Sequence, residues 1–320
     1  MFALSLLFSL LPGRSVCRSP VKDVTAVKKI NDRCQQTIAG PAEVDGIGYV
    51  TGKTIRLCFR PAPANTGVVF VRTDLGHVAC INACVANVTG TARRTTLGNA
   101  PVHVSLVEHV LAALSGLRID NCYVELDAPE APGMDGSAQA FVNALHRAGI
   151  IAQNDRIGIW TVDHTIFFTR GDATIAIHPT DLPELRISYL LDYGKESPIP
   201  WQMATMRVTP GDFAADIAPC RTFVTEDEAI ALKNSGIGSR STVADLLVFG
   251  AHGPIQNTVR FGNEPARHKI LDILGDLALL GCDLRGHIVA FKTGHPHNVE
   301  LARTLSTQLQ SVLPRQRRVA

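Results

Sequence analysis

Along this sequence, the spacing of apolar residues changes twice from the two-residue period of β-strands to the roughly 3.6-residue period of helices. This repeated change constrains the possible folds more than any other feature of the sequence. In the first half, strand-like runs at residues 54–60 and 68–72 precede a helical pattern at residues 105–117. The second half repeats the order after about residue 154 and ends in the strongest helical pattern, at residues 264–280. The pattern favours two similar halves and a weak internal duplication.

Other elements follow from the same patterns. Further strands are predicted at residues 122–126, 159–162, 165–168, 173–178 and 186–192, and a further helix at residues 138–148. Ser105 is expected to cap the first long helix, because Glu108 stands three residues later in the capping-box position. In the second long helix, Pro265 lies in the first turn and Gly281 follows the last residue.

Length and composition narrow the class of protein. The chain has 320 residues, more than one hydrophobic core usually covers, so two domains are expected. Its 46% hydrophobic and 19% charged residues exclude a disordered or coiled-coil chain. A net charge of +2 gives no electrostatic basis for nucleic-acid binding, and the basic run at residues 315–318 is interpreted as a solvated tail. The eight cysteines contain no Cys-x-x-Cys motif and are expected to be small core residues in a reducing compartment.

The N-terminus begins with an apolar run at residues 1–11 that has no Lys or Arg in front of it. This run is too short to cross a bilayer as a helix. Three interpretations stay open: the core of a signal peptide, a mis-assigned start, and a dispensable extension to about Asp32. No other stretch predicts a membrane span, because charges or glycines interrupt each of them.

Two residues of the second long helix could share a metal ion. His268 and Asp272 are four positions apart, so their side chains lie on one face of the helix. Imidazole and carboxylate suit zinc, but a catalytic zinc usually has three protein ligands and one open position. His109, on the helix of the other half, is the candidate third ligand, and Glu108 beside it can act as a general base. Taken singly, these residues also fit a helix cap, a hydrogen-bonded core histidine or an exposed helix edge.

A further histidine, His295, follows a strand-like run at residues 287–290 and a flexible Gly294. Amide hydrolysis needs a proton for the leaving nitrogen, and a loop histidine that is protonated near neutral pH can deliver it. A polar loop without a catalytic role, over residues 294–297, is an equal alternative.

Several separated blocks follow one another in order from about Gln35 to Leu313. They are Glu43-Val-Asp-Gly-Ile-Gly with Thr51-Gly-Lys; Arg60-Pro-Ala-Pro with Thr66-Gly-Val-Val-Phe and Arg72-Thr-Asp-Leu; Val107-Glu-His-Val-Leu-Ala-Ala-Leu; Ile119-Asp-Asn; Ala128-Pro-Glu with Met134-Asp-Gly-Ser; Cys220-Arg-Thr-Phe; Arg267-His-Lys-Ile-Leu-Asp with Gly275-Asp-Leu; and Phe291-Lys-Thr-Gly-His. In this order the blocks resemble those of the UDP-3-O-acyl-N-acetylglucosamine deacetylases, the zinc enzymes of lipid A biosynthesis.

The resemblance implies an α+β fold of two similar domains, each a small, mostly antiparallel sheet layered with helices, with the active site between the helical layers. Domain I would cover residues 35–154 and domain II residues 155–313. An N-terminal extension at residues 1–34 and a basic tail at residues 314–320 would lie outside them.

The resemblance also implies roles for single residues. The residues that match the zinc ligands are His109, His268 and Asp272. Glu108 matches the general base that activates water. His295 matches the cationic histidine that stabilises the oxyanion and protonates the leaving amine, and Asp276 matches the carboxylate that orients it.

Other residues match groups that bind the substrate. Lys269 matches a lysine that polarises the site, and Thr222 matches a hydroxyl that binds the tetrahedral intermediate. Phe223 begins the stretch that shapes the passage for the acyl chain. Two places depart from the family: Val50 replaces the usual histidine, and residues 236–253 lack the usual Ser-Leu-Asp-Asn sequence.

The resemblance implies hydrolysis of the N-acetyl group of UDP-3-O-acyl-N-acetylglucosamine with Zn²⁺, or with Fe²⁺ in the cell. We expect a cytoplasmic monomer that binds no nucleic acid and has at most peripheral contact with the inner membrane. Two alternatives stay open. One is a related zinc amidase with a changed acyl or nucleotide-sugar substrate; the other is a non-catalytic metal-binding relative, which would lack Glu108 or His295, yet both are present.

Overall fold

The computed structural model describes residues 26–76 and 79–312. The apolar run at residues 1–11 and the basic tail at residues 314–320 lie outside the described residues, so both interpretations stay predictions. Among the described residues, no helix is long and apolar enough to cross a bilayer.

Two five-stranded sheets form the framework. The strands of the first are β2 (Ala42–Ile47), β3 (Thr54–Pro61), β4 (Val68–Arg72), β5 (Ala79–Asn82) and β9 (Cys122–Leu126). The strands of the second are β11 (Ile166–Arg170), β12 (Ala173–His178), β13 (Arg186–Leu191), β14 (Gln202–Arg207) and β19 (His287–Phe291). Their spatial orders are β2-β3-β9-β4-β5 and β11-β12-β19-β13-β14. In each sheet the last strand takes the central place, antiparallel to one neighbour and parallel to the other. This shared topology supports the internal duplication, and the predicted α+β fold is confirmed.

A third ladder joins β1 (Val27–Ile38) to the long strand β10 (Ile150–Val162), which also pairs with β18 (Asp283–Leu284). Residues 27–34, expected in an extension, therefore belong to the fold. The middle of β1 is polar, so it shows no apolar alternation, and backbone pairing with β10 holds it instead. Both proposed domain boundaries, after residues 34 and 154, fall inside strands of this ladder, and the division into two domains stays a proposal.

Each half carries a small three-stranded insert before its central helix. The first insert consists of β6 (Val88–Gly90), β7 (Thr96–Asn99) and β8 (Val102–Ser105). The second consists of β15 (Phe223–Thr225), β16 (Leu247–Gly250) and β17 (Gly253–Pro254). The two inserts frame the site described below.

Two helices from different halves pack against each other at the centre. The helices are α1 (Glu108–Gly116), α2 (Gln139–Ala148), α3 (Pro210–Asp212), α4 (Glu226–Asn234), α5 (Glu264–Leu277) and α6 (His295–Val312). A 3₁₀ turn precedes β6 at Val85–Asn87, a π turn follows α3 at Phe213–Ile217, and a 3₁₀ turn follows α5 at Ala278–Leu280. The central pair is α1 and α5, and both are buried on nearly every side, although α5 carries the charged or titratable side chains of Glu264, His268, Asp272 and Asp276 among its buried residues. Gly281 ends the second long helix in the left-handed conformation, with φ 65°, as predicted.

The two central helices touch backbone to backbone at Gly275. A Cβ atom placed on Gly275 would lie 2.1 Å from the carbonyl oxygen of Glu108 and 2.8 Å from its carbonyl carbon. Only glycine permits this approach, because the neighbouring atoms are backbone and cannot rotate away. The approach puts the start of α1 directly against the middle of α5.

The predicted capping box at the start of α1 is wrong. Ser105 belongs to β8, where its hydroxyl lies 3.0 Å from that of Thr96, and the helix begins at Glu108 without a side-chain cap. The Glu108 carboxylate instead accepts the backbone N–H of Thr95, at 3.0 Å. Pairing within the sheet therefore outweighs the local capping pattern.

The cysteine prediction is only partly confirmed. Cys58, Cys122 and Cys220 are buried, but Cys80 is exposed on β5. Every cysteine in the described part of the chain is a free thiol, so the fold there does not depend on disulfides.

Candidate active site

Three side chains from the two central helices meet at one point. His109 comes from α1, and His268 and Asp272 come from one face of α5. One ligand atom of each lies within 4.8 Å of the others, and all three residues are buried. Asp272 Oδ1 is 3.3 Å from His268 Nε2 and 3.7 Å from His109 Nε2. The three residues are those that the sequence singled out as metal ligands.

Hydrogen bonds and burial prepare this cluster for a cation. His268 Nδ1 lies 3.0 Å from the carbonyl oxygen of Cys220, and since a carbonyl can only accept, Nδ1 carries the hydrogen. Nε2 then offers a lone pair, and burial lowers the pKa of His268 against the opposing effect of Asp272, which keeps the ring neutral. Asp272 Oδ1 is buried without a hydrogen-bond partner. An orphaned carboxylate oxygen facing two imidazoles fits a metal ion.

The second oxygen of Asp272 is held by a lysine. Lys269 Nζ donates to Asp272 Oδ2 at 2.8 Å. Burial would raise the pKa of Asp272, but the charge of Lys269 outweighs it and holds that pKa well below its usual range. Burial disfavours the Lys269 cation as well, yet Asp272 and the tyrosines around it raise its net pKa. The carboxylate therefore stays ionised.

Glu108 lies between the metal cluster and His295. Its side chain is buried, with Oε2 bonded to the Thr95 N–H and Oε1 3.8 Å from His295 Nε2. Burial raises the pKa of Glu108 above its usual value, although His295 and His109 lower it in part. A carboxyl group with a raised pKa is a stronger base once it is ionised.

His295 begins α6 and is not in a loop, so the loop prediction is wrong. The helix can start here because Pro296 occupies its first turn, where a missing N–H costs nothing. His295 Nδ1 donates to Asp276 Oδ2 at 2.8 Å. Burial opposes the charged form of His295, but the Asp276, Asp272 and Glu108 carboxylates outweigh it and raise its pKa to about 10.

Asp276 is fully buried behind His295 and receives three donors. Besides His295, Asn298 Nδ2 donates to Oδ2 at 2.9 Å and Thr95 Oγ1 donates to Oδ1 at 2.5 Å. Sequence reasoning missed both additional donors. Asn298 stands three positions after His295, a spacing that would have pointed to it had the helix been recognised. Thr95 lies on a distant insert, and nothing in its sequence context marks it.

The remaining candidates line the same cavity, whose volume is about 560 Å³. Lys269 Nζ lies 5.4 Å from the ring centroid of Phe223, and Thr222 lies beside them in the wall. Of the predicted site residues only Asp276 is absent from the lining, because it lies behind His295. The cavity lining also contains a set of apolar residues, which we call the apolar arm: Val224, Ile230, Leu232, Ile237, Val243, Leu246, Val248 and Ile255. One cavity thus joins a polar centre to an apolar arm.

Comparison with known proteins gives one family over nearly the whole described chain. The family model described as UDP-3-O-acyl N-acetylglycosamine deacetylase matches residues 35–307. The UDP-3-O-acyl-N-acetylglucosamine deacetylase of Chlamydia abortus is 37% identical over 87% of this chain and 99% of its own length. That of Chlamydia trachomatis serovar L2 is also 37% identical, over 87% of this chain and 96% of its own. The Bifunctional enzyme LpxC/FabZ of Chlorobaculum tepidum is 38% identical over 85% of this chain, which spans 64% of that longer protein.

Proposed function

The chain belongs to the family of UDP-3-O-acyl-N-acetylglucosamine deacetylases, and from this premise we propose how its own residues carry out the reaction. The protein is a deacetylase of lipid A biosynthesis, which hydrolyses the N-acetyl group of UDP-3-O-acyl-N-acetylglucosamine and releases acetate. The observation that carries the proposal is the orphaned Oδ1 of Asp272 between two histidines, with Glu108 and His295 beside it.

Zn²⁺ is the metal we propose, and His109, His268 and Asp272 would hold it. Two imidazoles and one carboxylate would form a three-ligand set that leaves a position open, as in catalytic zinc sites. The same set also accepts Fe²⁺, the alternative ion in the cell. When bound, the ion supplies a Lewis acid for the amide carbonyl and lowers the pKa of a coordinated water.

Glu108 is the general base. Its Oε2 is fixed by the Thr95 N–H, so Oε1 alone is free to take a proton from the attacking water. The new bond joins the water oxygen to the acetyl carbon, and the proton passes to the Glu108 carboxylate. A positioned acid or base typically contributes about 100- to 10,000-fold to the rate.

His295 is the general acid. Its raised pKa keeps it cationic at neutral pH, so it stabilises the developing oxyanion and then gives a proton to the leaving amine as the C–N bond breaks. Asp276 fixes the ring through Nδ1 and leaves the Nε2 hydrogen toward the cavity. Thr95 and Asn298 hold Asp276 in turn, so the acid is oriented by a buried network.

The substrate lies along the cavity from the polar centre into the apolar arm. Lys269 and Thr222 contact the reacting carbonyl region, and Phe223 begins the passage for the acyl chain. The support is that all three line the cavity. An apolar arm suits an acyl chain because each buried methylene contributes about 0.8 kcal/mol.

We propose that the enzyme acts in the cytoplasm. We propose a monomer with at most peripheral contact with the inner membrane. No described helix could span a bilayer. The experiment that decides the oligomeric state is sedimentation of the purified protein.

A second candidate function is a related zinc amidase with a changed acyl or nucleotide-sugar substrate. Val50, in the place of the family's usual histidine, lines the cavity and so removes one polar contact from it. Comparison of acetate release from substrates with different acyl chains and nucleotides decides between the two.

The test of the proposed function combines metal analysis with acetate release. We expect about one zinc per chain and turnover of UDP-3-O-acyl-N-acetylglucosamine by the native protein. Glu108→Gln should keep the metal and lose about 100- to 10,000-fold in kcat. Glu43→Gln, on the exposed strand β2, is the matched control and should change neither. A native protein that binds no metal and releases no acetate would refute the function.

A further inference from the structure

A short turn at residues 48–53, which we call the Tyr49 turn, borders the catalytic cavity. One buried carboxylate holds it from behind: Glu130 accepts the N–H of Val50 at 2.9 Å, and the N–H and hydroxyl of Thr51, each at 2.6 Å. A Cβ atom on Gly48 would lie 2.2 Å from Glu130 Oε1, so the turn packs directly on this carboxylate. The turn is therefore rigidly placed.

The Tyr49 turn binds the segment at residues 237–246, which we call the channel wall. Gly238 N–H donates to the carbonyl of Tyr49 at 2.7 Å, and Arg240 Nη1 donates to the carbonyl of Gly52 at 3.0 Å. The Tyr49 hydroxyl donates to the carbonyl of Asp245 at 2.5 Å. The channel wall is thus attached to the turn near both of its ends.

The surroundings of Tyr49 fix the position of its ring and keep its hydroxyl protonated. A Cβ atom on Gly133 would lie 2.3 Å from the ring, which shows how closely the backbone covers it. Burial, with the nearby Asp245 and Asp135 carboxylates, raises the pKa of Tyr49, so its hydroxyl remains a donor. The Tyr49 hydroxyl therefore stays protonated near neutral pH and can donate to the Asp245 carbonyl.

The channel wall closes one side of the apolar arm. Ile237, Val243 and Leu246 of this segment line the arm. The segment contains no strand or helix of its own from Gly238 to Leu246, so its position depends on what it is attached to. Tyr49 therefore joins the turn that carries Val50 to the channel wall.

We propose that Tyr49 is a positioning residue that fixes the channel wall and thereby determines which acyl length the enzyme accepts. The inference rests on the proposed function. Loss of the tether lets the wall move outward, and the arm then accepts chains longer than the preferred one. The effect concerns discrimination between acyl lengths and not the chemistry at the metal.

The test measures kcat/KM for a series of UDP-3-O-acyl-N-acetylglucosamines whose acyl chains differ in steps of two carbons. Tyr49→Phe removes only the hydroxyl, and the preference for the best length over the next longer one should fall about fivefold, as loss of one hydrogen bond predicts. Thr51→Val removes the hydrogen bond from the Thr51 hydroxyl to Glu130 and should lower the length preference as well. This second variant tests the inference if Tyr49→Phe folds poorly. Tyr123→Phe on β9, outside the cavity lining, is the matched control and should leave the preference unchanged.

A lower Tm with an unchanged length preference in both variants would mean that the tether is merely structural, and would overturn the inference. Absence of acetate release from every substrate by the native protein would overturn the proposed function itself. The two failures are distinguishable, because the first requires an active native enzyme.

Discussion

Gly275→Ala tests whether the backbone contact between α1 and α5 positions the proposed catalytic residues. The new methyl group would lie 2.1 Å from the Glu108 carbonyl oxygen, whereas ordinary contact begins at 3.4 Å. The two helices must therefore separate locally by more than about 1 Å, because the contact is with backbone that no rotamer change can move. Glu108 and His109 would move with the start of α1.

The expected change in the free energy of unfolding has the opposite sign to the change that helix propensity alone predicts. In a helix interior, alanine is favoured over glycine by about 1 kcal/mol. Overpacking of a tight core costs about 1–3 kcal/mol, so the free energy of unfolding should fall. Displacement of a catalytic group by about 1 Å can cost about 100-fold in rate, so kcat/KM should fall more than stability alone would predict.

Urea denaturation measures the free energy of unfolding. Acetate release measures kcat/KM, and metal analysis measures how much zinc the variant binds. Gly211→Ala is the matched control, since its Cβ would meet nothing within 4 Å and it also lies in a helix. Gly211→Ala should leave the free energy of unfolding unchanged or raise it. A Gly275→Ala protein that is as stable as the native one, with unchanged kcat/KM, would refute the argument that this contact sets the geometry.

Three further predictions concern the buried network and the metal. Asp276→Asn should lower the pKa of His295 from about 10 and move the descending, alkaline limb of the kcat/KM profile down by about one to three pH units, because a bonded carboxylate favours the cation; an unchanged alkaline limb would contradict this. Thr95→Val should lower the free energy of unfolding in urea by about 1–3 kcal/mol, because Asp276 Oδ1 loses its hydroxyl donor inside the core. The exposed Thr54→Val is its control and should have no such effect. Zinc at about 100 times its Kd should stabilise the metal-free native protein by about 2.7 kcal/mol but not His109→Ala, as measured by Tm; equal stabilisation of both would exclude His109 as a ligand.

Much of the local structure was predictable from the sequence because its causes lie within a few residues. The β-like apolar runs at residues 68–72 and 173–178 predicted strands with the observed bounds, and the apolar stripe of the second long helix predicted α5. The spacing of His268 and Asp272 predicted that both candidate ligands lie on one face of the helix. The capping box predicted at Ser105 is wrong because its cause is not local: Ser105 pairs with a neighbouring strand as part of β8.

Tertiary structure alone decided how the site is assembled. The sequence offered His109 as a third ligand, but only the packing of α1 on α5 at Gly275 brings it to His268 and Asp272. Thr95 reaches Asp276 from a separate insert, and no periodicity encodes that contact. Periodic patterns express forces between neighbours along the chain, whereas such contacts depend on how whole elements pack, and packing is a property of the folded surface as a whole.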